Sequence, residues 1–285
     1  NGTVTADTHP AHIHLNTAAE GGAIAISLEP VEGASGSSTT IVSSLDDGTG
    51  ITYNELLLFD GYVNIHESET NLETLLAQSD IGQNALSGDN ITYSLEEKSG
   101  SGVSGTATFY GRLNNETLVV LNMSGTTADG DHPAHIHFNT AAEGGGIAIS
   151  LTNVVGSTGF SQTNVTQLDD GETIEFQDLI KFDGYINVHL SEADPGTIVA
   201  QGDVGQNQLN GESASYPMSG SATGTATFYE RLNGETLVDI ELSGFSFSGD
   251  HPSHIHMGSV SVPGGISISL TPVDANGKSL TSVSA

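Results

Sequence analysis

Apolar and polar residues alternate along short stretches of this chain, and turn residues separate the stretches about every ten positions. The alternation is clearest in residues 147–151 and 185–189, and a period of two is typical of β-strands with one buried face. Similar patterns predict strands over residues 106–110, 117–123, 135–138 and 198–202. Single helical turns are predicted at residues 72–77 and near 177–180. We therefore predict an all-β fold of tandem Greek-key or immunoglobulin-like β-sandwich domains.

The strand pattern is repeated at long range. His9 and His132 lie 123 positions apart, as do His66 and His189, and 119 positions separate His132 from His251. A period of roughly 120 residues matches the size of an independent domain. The chain therefore divides into an incomplete unit at residues 1–79, a complete unit at 80–202 and a second incomplete unit at 203–285.

The two incomplete units lack different parts of the repeat. The first has no Gly-Thr-Ala-Thr-Phe-Tyr hairpin, and the last has no Gly-Tyr-x-Asn-x-His strand. A partial domain leaves sheet edges exposed. Three interpretations follow: the chain is a segment of a longer repeat array, the two incomplete units pair with each other, or a neighbouring chain completes each unit by strand complementation. The last predicts head-to-tail self-association.

The charge is strongly one-sided, with 5 Lys and Arg residues against 35 Asp and Glu residues and a formal net charge of −30. No basic patch is available for phosphates, which excludes nucleic acid as a partner. No apolar run reaches the roughly 18 residues of a membrane helix, so membrane insertion is not expected. The absence of cysteine excludes disulfides and thiolate metal sites. Divalent cations are the partners that such a charge favours.

All eleven histidines belong to repeated motifs, either His-Pro-Ala/Ser-His-Ile-His or Gly-Tyr-x-Asn-x-His. Residues two apart in a strand share a face, so His135 and His137 point away from the core and Ile136 points into it. His189 shares a face with Asn187 in its own strand. If the two strands are neighbours, three imidazoles converge on one patch of the sheet.

Converging imidazoles suit Zn²⁺ or Cu²⁺, with Asn187 or Glu143 as a supporting hydrogen-bond partner. The alternative is that the histidines are structural and bond across strands. The acidic turns at residues 129–131 and 169–171 are candidate Ca²⁺ sites, or hairpin turns that need no metal. The candidate metal ligands are His9, His12, His14, His66, His132, His135, His137, His189, His251, His254 and His256.

The motif order resembles the CHRD domain, named from chordin, in its bacterial tandem form. The order is the Gly-Thr-Ala-Thr-Phe-Tyr hairpin, His-Pro-Ala-His-Ile-His, Gly-Gly-Gly-Ile-Ala-Ile-Ser-Leu and Gly-Tyr-Ile-Asn-Val-His. The resemblance implies a repeated extracellular or cell-surface β-sandwich module rather than one defined activity. Residues 195–201 lack the acid and the arginine of the usual family tail.

These patterns predict a structural repeat unit of an extracellular surface or fibre-forming protein, assembled head to tail, with a histidine metal site in each domain. The first alternative is a module whose purpose is to bind or sequester metal. The second is a superoxide-dismutase-like copper enzyme, by analogy with its His-x-His strand and distant histidine. No Ser/His/Asp set or acid–base pair stands beside the histidines, so we expect no enzyme activity.

Overall fold

The structure is a computed structural model that describes residues 7–128, 130–244, 246 and 248–284. The described residues form eighteen strands and two four-residue helices, which confirms the all-β prediction. The strands belong to two four-stranded sheets, one closed barrel and one two-stranded sheet.

The first sheet has the strand order β2-β1-β3-β4, and all neighbouring strands in the pairs β1–β2, β1–β3 and β3–β4 are antiparallel. A capping box between Thr52 and Glu55 begins the short helix α1, which precedes β3. The elements are β1 (Thr8–Leu15), β2 (Ile24–Glu32), α1 (Tyr53–Leu56), β3 (Asp60–Ser68) and β4 (Asn71–Gly82).

The next eight strands close into a barrel, in the order β10-β7-β6-β5-β12-β11-β8-β9. Residues that point inward from these strands, such as Phe109, Ile136 and Ile186, are completely buried. The elements are β5 (Leu86–Glu97), β6 (Ser104–Arg112), β7 (Thr117–Ser124), β8 (Asp131–Phe138), β9 (Ile147–Val155), β10 (Phe160–Val165), α2 (Phe176–Leu179), β11 (Asp183–Ser191) and β12 (Asp194–Gly205).

The remaining strands form a four-stranded sheet in the order β13-β14-β15-β18 and the separate pair β16-β17. A small apolar cluster includes buried residues from both sheets, Val238 and Ile240 on β15 and Val273 on β17. The elements are β13 (Leu209–Ser219), β14 (Thr223–Arg231), β15 (Thr236–Ser243), β16 (His251–Ser259), β17 (Val262–Val273) and β18 (Lys278–Val283).

Each of the two four-stranded sheets corresponds in sequence to one half of the barrel. The repeat offsets match β2-β1-β3-β4 to β9-β8-β11-β12, and β13-β14-β15-β18 to β5-β6-β7-β10. The two halves of the barrel meet at two seams: β12 pairs β5 at Ala200–Glu97 and Gln201–Glu96, and β10 pairs β9 at Phe160–Val155. These seams close an eight-stranded barrel where the sequence predicted an open sandwich.

The predicted helical turn at residues 72–77 is wrong, because this stretch lies within β4 and pairs along its length with β3. Its leucines are spaced as on a helix, but the strand pairing overrides that local preference. The turn predicted near residues 177–180 is confirmed as α2. Helix α1 was not predicted, although the Thr52–Glu55 pair is a readable start signal.

The chain separates into two compact units. The first comprises Asn1–Thr92, Gly105–Asp131 and Leu151–Leu179, and the second comprises Tyr93–Ser104, His132–Ser150 and Ile180–Ala285. The division into repeats at residues 1–79, 80–202 and 203–285 stays a prediction.

Candidate metal centres

Two sets of three histidines converge, one on each complete pair of histidine motifs. The first set is His12, His14 and His66, and the second is His135, His137 and His189. In each set one ring nitrogen from every residue lies within 4.8 Å of the other two, and either set could hold a metal ion. We call them the first and the second triad.

Neighbouring strands build the first triad. Strand β1 pairs with β3 so that His12 lies opposite Asn64 and His14 lies opposite Tyr62. The register between β3 and β4 shifts at Ile65–His66, with the extra residue, Leu76, on β4, so the alternation along β3 continues through His66. Strand alternation then puts all three imidazoles on the face away from Ile13, which is buried.

Backbone carbonyls fix which nitrogen of each ring is free to bind. The Nδ1 atom of His14 is 3.0 Å from the carbonyl oxygen of Gly22, and that of His66 is 2.6 Å from the carbonyl oxygen of Leu72. A carbonyl only accepts, so both rings carry their proton on Nδ1 and leave Nε2 as the lone pair. His12 Nδ1 is buried and has no hydrogen-bond partner among the residues that the structure describes. The ligand atoms are therefore one Nδ1 and two Nε2.

Two histidines of the second triad make the same hydrogen bonds to backbone carbonyls. His137 Nδ1 donates to the carbonyl oxygen of Gly145 at 3.0 Å, and His189 Nδ1 donates to that of Pro195 at 2.6 Å. Two of the remaining ring nitrogens, His135 Nδ1 and His189 Nε2, are 3.2 Å apart. Nitrogens bound to one tetrahedral zinc ion lie about 3.3–3.4 Å apart, given zinc–nitrogen bonds of about 2.0–2.1 Å. The spacing fits a shared metal ion or a shared proton.

A glycine and a tyrosine hold the middle histidine of each triad, and the sequence pattern did not reveal this role. Gly22 N–H donates to the Tyr62 hydroxyl at 3.1 Å while its carbonyl accepts from His14, and the Tyr62 ring stacks on His14 with centroids 4.9 Å apart. A Cβ at Gly22 would lie 2.0 Å from the Leu15 carbonyl oxygen. Only glycine fits there, which explains part of the Gly-rich turn that follows each His-x-His strand.

Tyr185 and Gly145 repeat this arrangement in the second triad. Gly145 N–H donates to the Tyr185 hydroxyl at 3.1 Å, and the Tyr185 ring stacks on His137 at 4.9 Å. A Cβ at Gly145 would lie 2.0 Å from the Phe138 carbonyl oxygen. The signal that could have found these residues is their recurrence beside each His-x-His strand.

An arginine braces the turn that carries this glycine. The carboxylate of Asp80 accepts from the backbone N–H of Ala18, in the turn before Gly22, and also from Arg112, 2.7 Å away. The Arg112 side chain is completely buried and donates its Nε to Asn164 at 2.8 Å. The first triad thus depends on a side chain from β6, through Asp80.

The second triad has the equivalent brace from β14. The Asp203 carboxylate accepts from the backbone N–H of Ala141 at 2.8 Å and from Arg231 at 2.7 Å. Arg231 is also completely buried, but its Nε has no hydrogen-bond partner. The two arginines of the chain therefore have the same task, and Arg112 has one more polar partner.

His9 and His132 lie outside the triads. Each is buried, and its Nδ1 is hydrogen-bonded to a backbone carbonyl: that of Glu67 at 2.8 Å for His9, and that of His189 at 3.0 Å for His132. Each lies three positions before the first triad histidine of its strand, which puts it on the opposite face. The structure therefore does not bring these two predicted ligands to the patch.

The third motif copy supplies only part of a site. His254 and His256 lie on β16, and His256 Nδ1 is 3.1 Å from the carbonyl oxygen of Gly264. Among the described residues β16 pairs with β17 alone, so neither a third imidazole nor a stacking tyrosine joins them. His251 lies at the start of the same strand.

The triads are electrostatically suited to a cation. Burial, together with the neighbouring His66 and His14, lowers the pKa of His12, and the Asp46 carboxylate partly opposes that shift. Burial also lowers the pKa of His189, against its hydrogen bond to Pro195. Both shifts favour the neutral imidazole of His12 and His189, the form that binds metal.

The other predicted polar sites do not converge. Asn187 accepts from Gln201 at 2.9 Å, and the Glu143 carboxylate caps its own turn at Thr140, so neither supports a histidine. At the second acidic turn Asp170 accepts from a backbone N–H two residues on. Asp129, in the other turn, lies outside the described residues. In the described parts of both turns, no group of three converging ligands is found.

No helix in the described part of the chain is long and apolar enough to cross a membrane. A scan of the sequence against protein-family models finds no match. A search of curated proteins finds no match either. The CHRD resemblance therefore stays a prediction, and the geometry of the triads carries the functional argument.

Proposed function

We propose that this chain is a metal-binding repeat protein in which each triad holds one Zn²⁺ or Cu²⁺ ion. The observation that carries the proposal is the convergence of three ring nitrogens, two of them on rings whose tautomers are set by backbone carbonyls. It occurs twice, with the same carbonyl contacts at the second and third histidine of each triad. Imidazole is a preferred ligand of both metals.

A purely structural role leaves these nitrogens unsatisfied. His14 Nε2 and His137 Nε2 are buried without hydrogen-bond partners, although the Nδ1 atom of each ring is bonded. Each such group costs about 1–3 kcal/mol when no partner replaces water. A cation among the three lone pairs removes this cost and their mutual repulsion. The structural alternative supplies a hydrogen bond between His135 Nδ1 and His189 Nε2, but it leaves His14 Nε2 and His137 Nε2 without a partner among the described residues.

The bound metal would fasten neighbouring strands. His12 and His14 come from β1 and His66 comes from β3, so one ion links two strands that are far apart in sequence. Such a cross-link suits a chain without cysteine. Three histidines supply three of the four positions that zinc uses, which leaves one for water or another ligand.

The wider setting is part of the proposal. We infer a structural repeat unit of an extracellular or cell-surface fibre, of CHRD type, with the sandwich architecture in its repeats and no enzyme activity. The acidic charge of −30 and the internal repeat support this setting. A superoxide-dismutase-like copper enzyme is the alternative, and superoxide turnover by the copper-loaded chain would favour it.

The test is a metal count on the chelated and reloaded chain. We expect two zinc ions per chain by mass spectrometry of the purified protein, and one in either His66→Ala or His189→Ala. His254→Ala, which changes a His-x-His residue outside the triads, is the matched control and should retain two. Zinc at 100 times its Kd should stabilise the folded state by about 2.7 kcal/mol. Equal melting temperatures with and without metal would contradict the proposal.

A further inference from the structure

The third motif copy already has the geometry of a triad without its third member. The rings of His254 and His256 lie 6.1 Å apart at an interplanar angle of 80°, against 5.8 Å and 89° for His135 and His137. His256 Nδ1 donates to the carbonyl oxygen of Gly264, which leaves the lone pair of the ring on Nε2. Two ligands of a metal site are therefore in place before any third ligand arrives.

The strand that would supply the third ligand is missing beside β16. In the two complete copies the His-x-His strand has a neighbour on each edge: β1 lies between β2 and β3, and β8 lies between β9 and β11. Within the described residues β16 has β17 on one edge only. The free edge is exposed, and Met257 beside the two histidines is 66% exposed.

We propose that the free edge of β16 docks a strand with the sequence Gly-Tyr-x-Asn-x-His from a further repeat of this type, and that its histidine completes a third metal site with His254 and His256. The docking rests on strand pairing alone, whereas the composite metal site rests also on the proposed function. Strands β3 and β11 are paired on both edges, so the donor is another copy of the motif.

The two complete copies give the register of docking. In both, the glycine of the motif lies opposite the residue after the second triad histidine, the tyrosine opposite that histidine, and the asparagine opposite the first. The docked glycine would therefore face Met257, the tyrosine His256 and the asparagine His254. A Cβ on the glycine at position 184 would lie 2.7 Å from the carbonyl oxygen of His137, so this residue must be glycine.

The docked strand would also cover apolar surface. In the barrel Ile186 and Val188 of the motif strand are completely buried, and so is Ile136 on the strand opposite. The residue equivalent to Ile136 is Ile255, which is only half-buried. Burying these apolar side chains adds a favourable contribution that does not depend on metal.

The experiment uses the full chain and a fluorescent peptide of residues 183–205, which contains β11 and β12. We expect one peptide per chain by fluorescence anisotropy without metal. With zinc, the count should rise from two to three ions per chain, and peptide affinity should rise about 5–150-fold, the usual range for two coupled sites. By linkage the peptide must raise zinc affinity by the same factor.

Two variants separate docking from metal binding. The peptide with His189→Ala should still dock but add no third zinc ion, and the chain with His256→Ala should do the same with the unaltered peptide. A scrambled peptide with one histidine should do neither. The inference is overturned if the unaltered peptide fails to dock on a chain that holds two zinc ions, or if the His189→Ala peptide adds a third. A chain that binds no zinc alone, yet docks the peptide, refutes the metal function and leaves the docking surface.

Discussion

The first triad lies in an open four-stranded sheet, and the second lies in a closed barrel, yet the two have almost the same dimensions. The ring centroids of His12 and His66 are 5.2 Å apart, and those of His135 and His189 are 5.1 Å apart. The tyrosine stacks at 4.9 Å and 17° in both. The triad is therefore a property of its own strands and turn, and barrel closure is not needed to form it.

Closure changes the surroundings of the triad instead. Leu76 on β4 is 42% exposed, whereas Val199, its equivalent on β12, is 1% exposed. The seam between β12 and β5 covers Val199, and no described strand pairs with the outer edge of β4 to cover Leu76. The two triads therefore have the same geometry, and we expect the parts of the chain that carry them to differ in resistance to local unfolding.

The largest expected effect comes from removing one brace and leaving the other. Arg112→Met leaves the Asp80 carboxylate without its cation, and breaking such a buried pair costs about 3–5 kcal/mol. It should also weaken zinc binding at the first triad by about tenfold, through the turn that carries Gly22. Hydrogen exchange resolved to segments measures the first effect, and zinc titration in a His189→Ala background measures the second.

Arg231→Met is the matched variant and should affect only the second triad, read in a His66→Ala background. Its cost should be smaller than that of Arg112→Met, because Arg231 lacks the hydrogen bond that Arg112 makes to Asn164. If either single substitution lowered zinc affinity equally at both triads, the arginine brace would not act locally.

Truncating the same isoleucine in both settings measures what closure contributes. Ile13 and Ile136 are equivalent and buried. Replacing isoleucine by alanine costs about 2–5 kcal/mol, and the cost depends on how far the site can collapse. We expect Ile136→Ala in the barrel to be near the upper value and Ile13→Ala near the lower. Segment-resolved hydrogen exchange measures both costs. A larger loss of stability in the open sheet from Ile13→Ala than in the barrel from Ile136→Ala would contradict this expectation.

Substitutions at two neighbouring glycines distinguish an effect on the metal site from a general effect on the turn that carries it. Gly145→Ala places a Cβ 2.0 Å from a carbonyl oxygen and must move the residue that holds His137. Loss of such a supporting contact lowers metal affinity by about 10–100-fold. Gly146→Ala meets no atom within 4 Å, and the first copy already has Ala23 there. Zinc affinity should therefore be unchanged in that control.

The smallest expected effect is that of pH on the metal-free chain. The folded-state pKa of both His12 and His189 is lowered below the ordinary value of 6.5. The unfolded chain therefore binds more protons just below pH 6.5, and stability falls as the pH drops through this range. Because the rings are partly solvated, we expect less than about 1 kcal/mol per group. Melting curves at pH 7.5 and 5.5 test the sign, and greater stability at pH 5.5 would contradict it.

Strand alternation placed His135 and His137 on one face of their strand, and it predicted the second triad on the condition that the strand of His189 is a neighbour. The pairing of β8 with β11 meets that condition. Strand alternation also assigned the core face, where Ile136 is completely buried. The same rule could have excluded His9 and His132, whose odd spacing from the triad residues places them on the other face.

Other features had no side-chain signature. The acceptors that set the tautomers of His66 and His189 are the backbone carbonyls of Leu72 and Pro195, and any residue type carries a carbonyl. Barrel closure depends on the pairing of β12 with β5 and of β10 with β9, contacts that no local pattern encodes. The helical spacing of leucines in residues 72–77 misled for the same reason.

The arginine brace also orders events during synthesis. Arg112 lies 32 positions after Asp80, and Arg231 lies 28 positions after Asp203. At about 5–20 residues per second, the ribosome adds the bracing arginine roughly 1.5–6 s after the aspartate it contacts. All the histidines of a triad are therefore synthesised before the arginine that braces its turn, and the first set of residues is complete before the second.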